Sequence, residues 1–138
     1  MAKDLYHQIV RDALEKEGWT ITDDPFVLKS GGLRMEVDLA AEKVIAATRE
    51  NEKIIVEIKS FISKSKLNDF YEAKGQYDVY RKGLKKEKIE HKLFLAVEED
   101  VYNSFFQKIL IQEIVEEDQI SLLIYNIVSK SIISWQIH

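Results

Sequence analysis

The chain contains no cysteine, a single proline, five glycines and no long apolar run. Without cysteine there are no disulfides, no thiolate zinc sites and no cysteine nucleophile, a composition suited to a reducing compartment. No apolar stretch reaches the roughly 18 residues needed to cross a bilayer, and "MAKDLYHQIV" lacks the apolar centre of a secretory signal. A cytoplasmic protein with no membrane contact is expected. No Pro/Ser/Gly-rich linker interrupts the chain, so residues 1–138 are expected to form a single domain. There is also no excess of positive charge: the formal net charge is −4. That argues against a surface coated with cations for nucleic acid, but does not exclude a local basic patch.

What is present is an ordinary globular mixture, 46% apolar and 32% charged. Apolar residues recur at helical spacing over 4–17, with Gly18 placed to end that helix. "WTIT" suggests a strand stopped by the turn signal Asp23-Asp24-Pro25. "FVLK", a Ser-Gly-Gly turn and "LRMEVDLA" suggest a hairpin, and "KVIAAT" with "KIIVEIKSF" across the polar "RENE" a second one. Leu67, Phe70, Ala73, Tyr77, Tyr80 and Leu84 mark an amphipathic helix over 65–84. "KLFLAV" reads as a buried strand, "DVYNSFFQKILIQEI" as one helix, and "ISLLIYNI" with "SIISWQI" as a closing hairpin. This order predicts an α/β (mixed α+β) fold: a central mixed sheet flanked by helices, with a C-terminal β-hairpin. Both alternating faces of that hairpin are apolar, which predicts a dimer or partner interface there.

The strand "KIIVEIKSF" raises the functional question, because Glu57 and Lys59 interrupt an apolar run. Alternation puts both on one face, with Val56 and Ile58 on the other. Burying charges is costly unless they are paired or bind a metal. A cross-strand ion pair on a wet face is the plain reading. The functional one adds Asp38, in "MEVDLAA", as a second carboxylate on a neighbouring strand. Two close carboxylates repel unless a cation neutralises them, and oxygen-only ligation suits Mg²⁺ or Mn²⁺. Lys59 on the same face would position water and offset charge on a phosphate. Gln76 and Tyr80, one helical turn apart, could reach the same place. By itself Asp38 could equally end a strand or cap a turn, and Tyr71, Tyr77 and Tyr80 suit a core better than a base-stacking platform. Lys64, Lys66, Lys74 and Arg81 belong to a basic segment, 64–88, readable as a solvated helix face or as a phosphate-facing surface. His91 and His138 have no partners suggested by spacing.

Asp38, then Glu57-Ile58-Lys59, then a helix bearing Gln76 and Tyr77, resembles the PD-(D/E)xK nuclease-like superfamily. More narrowly, "WTITDDPF", "VDLAAE", "VEIKSFIS" and "AKGQYDVYR" in order look like the XisH family of fdxN element excision controlling factors. The resemblance spans nearly the whole chain. It implies a restriction endonuclease-like core, action on DNA in support of a site-specific recombinase, and a small XisI-like protein partner. Carried over by position, Asp38 and Glu57 would ligate the metal, helped by the carbonyl of Ile58. Lys59 would orient the attacking water, and Gln76 would be an auxiliary polar residue. Many superfamily members carry an acid in the first helix where this chain has His7, a departure that counts against full nuclease activity. Histidine there could still face metal or phosphate, or be a plain boundary residue. The expected activity is thus Mg²⁺- or Mn²⁺-dependent phosphodiester hydrolysis, or DNA binding that retains the site. The alternative is a non-catalytic regulatory subunit that uses the same fold to hold its protein partner.

Overall fold

The computed structural model describes residues 2–45 and 50–138. Helix α1 (Ala2–Lys16) buries Ile9, Val10, Ala13 and Leu14 along one stripe. Strands β1 (Thr20–Asp23), β2 (Phe26–Ser30), β3 (Leu33–Val37), β4 (Leu39–Ile45) and β5 (Glu50–Ile58) follow. Helix α2 (Lys66–Lys86) leads to β6 (Lys92–Glu98), α3 (Glu99–Ser104), a 3₁₀ turn (Phe105–Gln107) and α4 (Ile109–Glu117). Strands β7 (Leu122–Asn126) and β8 (Ser131–Gln136) close the chain. The strand expected at "KVIAAT" starts earlier, at Leu39, and the part of that expectation that falls on 46–49 lies outside the described residues.

The central sheet is six-stranded and mixed, in the order β1-β4-β5-β6-β7-β8. β5, β6 and β7 are parallel, and α2 makes the crossover from β5 to β6; the outer pairings are antiparallel. Ile54, Val56, Ile58, Phe94, Ala96, Leu123 and Tyr125 pack toward α1. Ile55, Leu93, Leu95, Val97, Leu122 and Ile124 pack toward α2, α3 and α4. Layers on both faces explain why these strands read as near-continuous apolar runs rather than alternating ones. Each large side chain fully withdrawn from water contributes about 1.5–3 kcal/mol.

Two elements depart from the sequence reading. "LRMEVDLA" is not one strand but two, broken at Asp38: Val37 pairs with Phe26 in a separate two-stranded hairpin, whereas Leu39 pairs with Val56 in the main sheet. "DVYNSFFQKILIQEI" is not one helix either. Adjacent Phe105 and Phe106 are both buried and both pack on Phe61 and Phe70. The chain leaves the α-helix here, passing through the 3₁₀ turn Phe105–Gln107 and an extended Lys108 (φ −64, ψ 136) before α4 begins. Of the tyrosine series, Tyr77 and Tyr80 are buried, while Tyr71 faces solvent. In α2, Gly83 permits close approach of the β2–β3 hairpin, since a Cβ there would lie 3.1 Å from Leu28 Cδ2.

β7, expected to offer an open face, is covered on both sides by this chain's own layers. β8 forms the sheet edge, with its Trp135 against Trp19 and Phe94, and Ile133 exposed. The apolar pattern of β7 is thus explained without a second chain.

Helices α1, α2 and α4 end alike. In α4, Ile120 N donates to Val115 O and Gln119 N to Glu116 O, a Schellman closure that requires a left-handed residue at position 119. α1 supplies Gly18 there (φ +92), whereas α2 and α4 use Lys88 (φ +56) and Gln119 (φ +52). A side chain in that region costs about 1–2 kcal/mol, partly offset by the greater flexibility of unfolded glycine. Gln119→Gly is therefore expected to stabilise the protein by about 0.5–1 kcal/mol. Urea denaturation should show a raised midpoint with an unchanged slope.

Candidate functional site

Asp38 and Glu57 meet where β3 gives way to β4 and β5 ends. Asp38 Oδ2 accepts the Ile58 backbone N–H at 2.8 Å, and Glu57 Oε1 accepts the Asp38 backbone N–H at 3.3 Å. Each carboxylate thus grips the backbone of the other's segment. The clasp exists because Asp38 sits at the break in "LRMEVDLA", where its amide is free of either sheet ladder. Glu57 shares the α2-facing side with Ile55, and Val56 and Ile58 face α1, as alternation requires. Glu57 is 8% exposed, and the Asp38 side chain 23%. Two acids are therefore held together at the carboxyl end of β5, one buried and one partly exposed.

Tyr80 closes the site from α2. Its hydroxyl donates to Glu36 O at 3.4 Å, and burial pushes its pKa from 10 to about 12, with the negative charges of Glu57 and Asp38 adding to the shift. From the other layer, His7 brings Nδ1 to 3.9 Å from Asp38 Oδ1 while Nε2 bonds Asp24 Oδ1 at 2.8 Å. Arg11, one turn further along α1, bonds the other Asp24 oxygen at 2.5 Å. Asp24 and Arg11 thus orient His7, an arrangement that depends on the Asp23–Phe26 turn and was not visible in the sequence.

Lys59 lies just past β5 on the Glu57 side, where its ammonium bonds Glu72 of α2 at 2.7 Å. Glu72, Gln76 and Tyr80 recur every fourth residue, so exposed Gln76 stands between Lys59's partner and the tyrosine. Lys64 and Lys66 are exposed at this end of α2. Lys74 and Arg81 are committed internally. Lys74 pairs with Asp78 at 2.7 Å and Asp118 at 2.9 Å, partners that raise its pKa. Arg81 donates to the carbonyls of Asp118 and Gln119, pairs with Asp78, and lies over the Tyr77 ring. The four cations expected to face phosphate therefore divide into two open and two engaged.

The donors suit a hard cation in kind: Asp38 and Glu57 offer carboxylate oxygens, and a Mg²⁺ site needs only one or two protein carboxylates with water and phosphate completing it. One Asp38 oxygen is committed to the Ile58 amide, leaving Oδ1, which faces His7. Among the described residues, no group of three or more His, Cys, Asp or Glu side chains is gathered in a metal-ligating arrangement. Any ion here would rest on the carboxylate pair, with the Ile58 carbonyl as a further donor.

A family model described as XisH protein matches residues 1–133. The chain belongs to the XisH family. The crystal structure of an XisH family protein from Nostoc punctiforme is 40% identical, with a TM-score of 0.89 over 98% of this chain and all of that one. That of an fdxN element excision controlling factor protein from Anabaena variabilis is 38% identical, with a TM-score of 0.87 over 96% of this chain and 98% of the other. No curated protein matches the chain. Among the described residues of this family member, no helix is long and apolar enough to cross a membrane.

Several polar residues near the carboxyl ends of the strands escaped the sequence reading. Glu98, buried at the end of β6, accepts the Asp100 N–H at 2.7 Å and caps α3. Asp69, buried in the first turn of α2, accepts both the backbone N–H and the hydroxyl of Ser63. Both stand among charges that look like a solvated surface, and only the fold shows what they cap. Glu72 is likewise one more acid on a charged helix until Lys59 is seen to reach it.

Two predictions test this geometry. Asp38→Ala leaves the Ile58 amide unpaired and should cost about 1–3 kcal/mol in chemical denaturation, whereas Asp38→Asn retains an acceptor and should recover most of the loss. Tyr80 should ionise near pH 12 in an ultraviolet titration referenced to Tyr80→Phe. Because its folded pKa is raised, the stability it contributes is complete below about pH 10 and lost as pH rises toward 12. Glu57→Gln removes one of the charges holding it up, so Tyr80 should then titrate lower but still above its ordinary value.

Proposed function

We propose that this chain is an accessory factor for DNA element excision that acts on DNA through a divalent-metal site built on Asp38 and Glu57. The observation that carries this reading is the reciprocal clasp, which holds two carboxylates side by side at a strand end with Lys59 on the same side. The family supports the biological setting, since one relative is an fdxN element excision controlling factor protein. The helix, antiparallel strands, crossover helix and parallel strand suit a restriction endonuclease-like core of the PD-(D/E)xK kind. Bound Mg²⁺ or Mn²⁺ would polarise a phosphate oxygen and activate water. Asp38 and Glu57 would hold the ion, with the Ile58 carbonyl. Lys59, released from Glu72, would orient the attacking water, and Gln76 would steady the phosphate from α2. Lys64 and Lys66 would meet the DNA backbone beside the site.

A second reading, a non-catalytic subunit that binds an XisI-like protein partner, is favoured by two observations. Lys59 is bonded to Glu72 rather than directed at the carboxylates, and His7 stands where a first-helix acid would complete the ligand set. The two readings diverge in one assay of supercoiled, linear and branched DNA, with Mg²⁺ or Mn²⁺ and with or without the small partner. On the first, Mn²⁺ raises the melting temperature and supports cleavage; Glu57→Gln removes both effects, and Lys59→Ala removes cleavage but keeps metal stabilisation. If the wild type, even beside its partner, gains no stability from either ion and neither binds nor cuts DNA, the subunit reading replaces it.

A further inference from the structure

Part of the positive charge of this chain is paired: Lys59 and Arg11 beside the carboxylates, and Lys74 and Arg81 along α2, are held by acids of the protein itself. Where α2 ends and β6 begins, a run of lysines close in sequence is not. Residues 81–92, "RKGLKKEKIEHK", hold six cations against two glutamates in a chain of net charge −4. Among the described residues, Lys53, Lys85, Lys88 and Lys92 have no ion-pair partner. Favourable interaction with the helix macrodipole accounts for Lys85 and Lys86 in the last turn of α2. It does not account for Lys53, Lys88 or Lys92, which lie outside that helix.

These cations surround a concave surface. A cleft of about 270 Å³ is lined by Arg81, Lys85, His91, Lys92, Ser121 and His138 among others, and by no aspartate or glutamate. A second cleft of about 470 Å³, with Lys53, Lys88 and one acid, Glu90, in its wall, shares Ile89 and His91 with the first. His91 is held below its ordinary pKa by burial and then by Lys53, so near neutral pH it offers an uncharged imidazole beside the lysines. Arg81 is fixed by its bonds to Asp118 and Gln119, so one wall of the cleft is rigid. Its cation is shared with Asp78, and the unpaired lysines supply the remaining attraction.

We propose that this cleft is a phosphate-binding site, formed chiefly by Lys85 and Lys92 with Lys53 and Lys88 at its rim. A phosphate carries the compact negative charge and acceptor oxygens that several unpaired ammonium groups around a hydroxyl and an imidazole would recognise. The 21 residues of α2 separate this pole from the Lys59 end by about 30 Å. The phosphate bound here is therefore not the one beside Asp38 and Glu57, and the site needs no metal. Its phosphate comes either from a nucleic acid backbone or from a small phosphorylated molecule.

The test uses the full chain with EDTA present, so that its result stands apart from the metal site. A labelled duplex of mixed sequence is titrated across a salt series, and inorganic phosphate and pyrophosphate are titrated calorimetrically. Lys85→Gln with Lys92→Gln should weaken duplex binding about tenfold at low salt and reduce the slope of log K against log salt by about 2. Lys108→Gln with Lys130→Gln, the same change in net charge elsewhere, should leave that slope intact. Melting temperatures establish that both variants are folded. Loss of duplex binding without phosphate binding identifies a nucleic acid backbone; phosphate or pyrophosphate binding lost in the cleft variant identifies a small ligand. If the wild type binds none of these probes, or the two double variants behave alike, the proposal is overturned.

Discussion

The structure turns on the exchange between Asp38 and the end of β5. The Asp38 carboxylate takes the Ile58 amide, and the Asp38 amide points to Glu57. This exchange fixes where the chain leaves the small β2–β3 hairpin and enters the main sheet. It also secures the last residues of β5 before the chain departs for α2. A charged acceptor on a backbone N–H is stronger than a neutral one, and here it works at a point that neither ladder serves. Structure and candidate chemistry consequently share the same atoms: the carboxylates proposed to ligate an ion are also those that join the two sheets. Intact Asp38 and Glu57 are therefore expected on architectural grounds alone, and of the three residues only Lys59, which takes no part in the clasp, discriminates the chemical reading.

The layers around the clasp give its two sides different characters. The α1 side contributes the His7–Asp24–Arg11 chain, in which a histidine is oriented by an acid and a base of the same surface. The α2 side contributes Tyr80, whose hydroxyl stays protonated across the neutral range because burial and both carboxylates oppose its ionisation. Tyr80 thus remains a hydrogen-bond donor beside the acids. Glu72 holds Lys59 away from them through an exposed pair, and such pairs are worth little, about 0–1 kcal/mol. Redirecting Lys59 toward a bound phosphate would accordingly meet only a small opposing cost.

Much of this was legible in the sequence. The alternation in "KIIVEIKSF" placed Glu57 and Lys59 on one face and Val56 and Ile58 on the other, and the 3.6-residue period located α2 with Tyr77 and Tyr80 inward. The XisH phrases identified the family that the comparison establishes. What remained hidden depends on contacts distant in sequence. No local pattern shows that "LRMEVDLA" divides between two sheets at Asp38, because the break is set by Glu57 and Ile58, some twenty residues on. Nor does local periodicity show that Phe105 and Phe106 both enter one aromatic cluster, at the break between the two helices that stand where one was expected. The basic segment read as continuous, yet a helix of 21 residues carries Lys66 and Lys86 to opposite ends of the molecule. Pairing with Asp78 and Asp118 removes two of its expected phosphate contacts.

The proposed metal site is tested most directly by anomalous diffraction from crystals soaked in Mn²⁺. One strong peak is expected between Asp38 and Glu57, within about 2.0–2.3 Å of a carboxylate oxygen from each, together with its loss in Glu57→Gln crystals of the same form. A peak elsewhere, or none at this place while Mn²⁺ occupies other carboxylates, would contradict it and leave the clasp as a structural device alone.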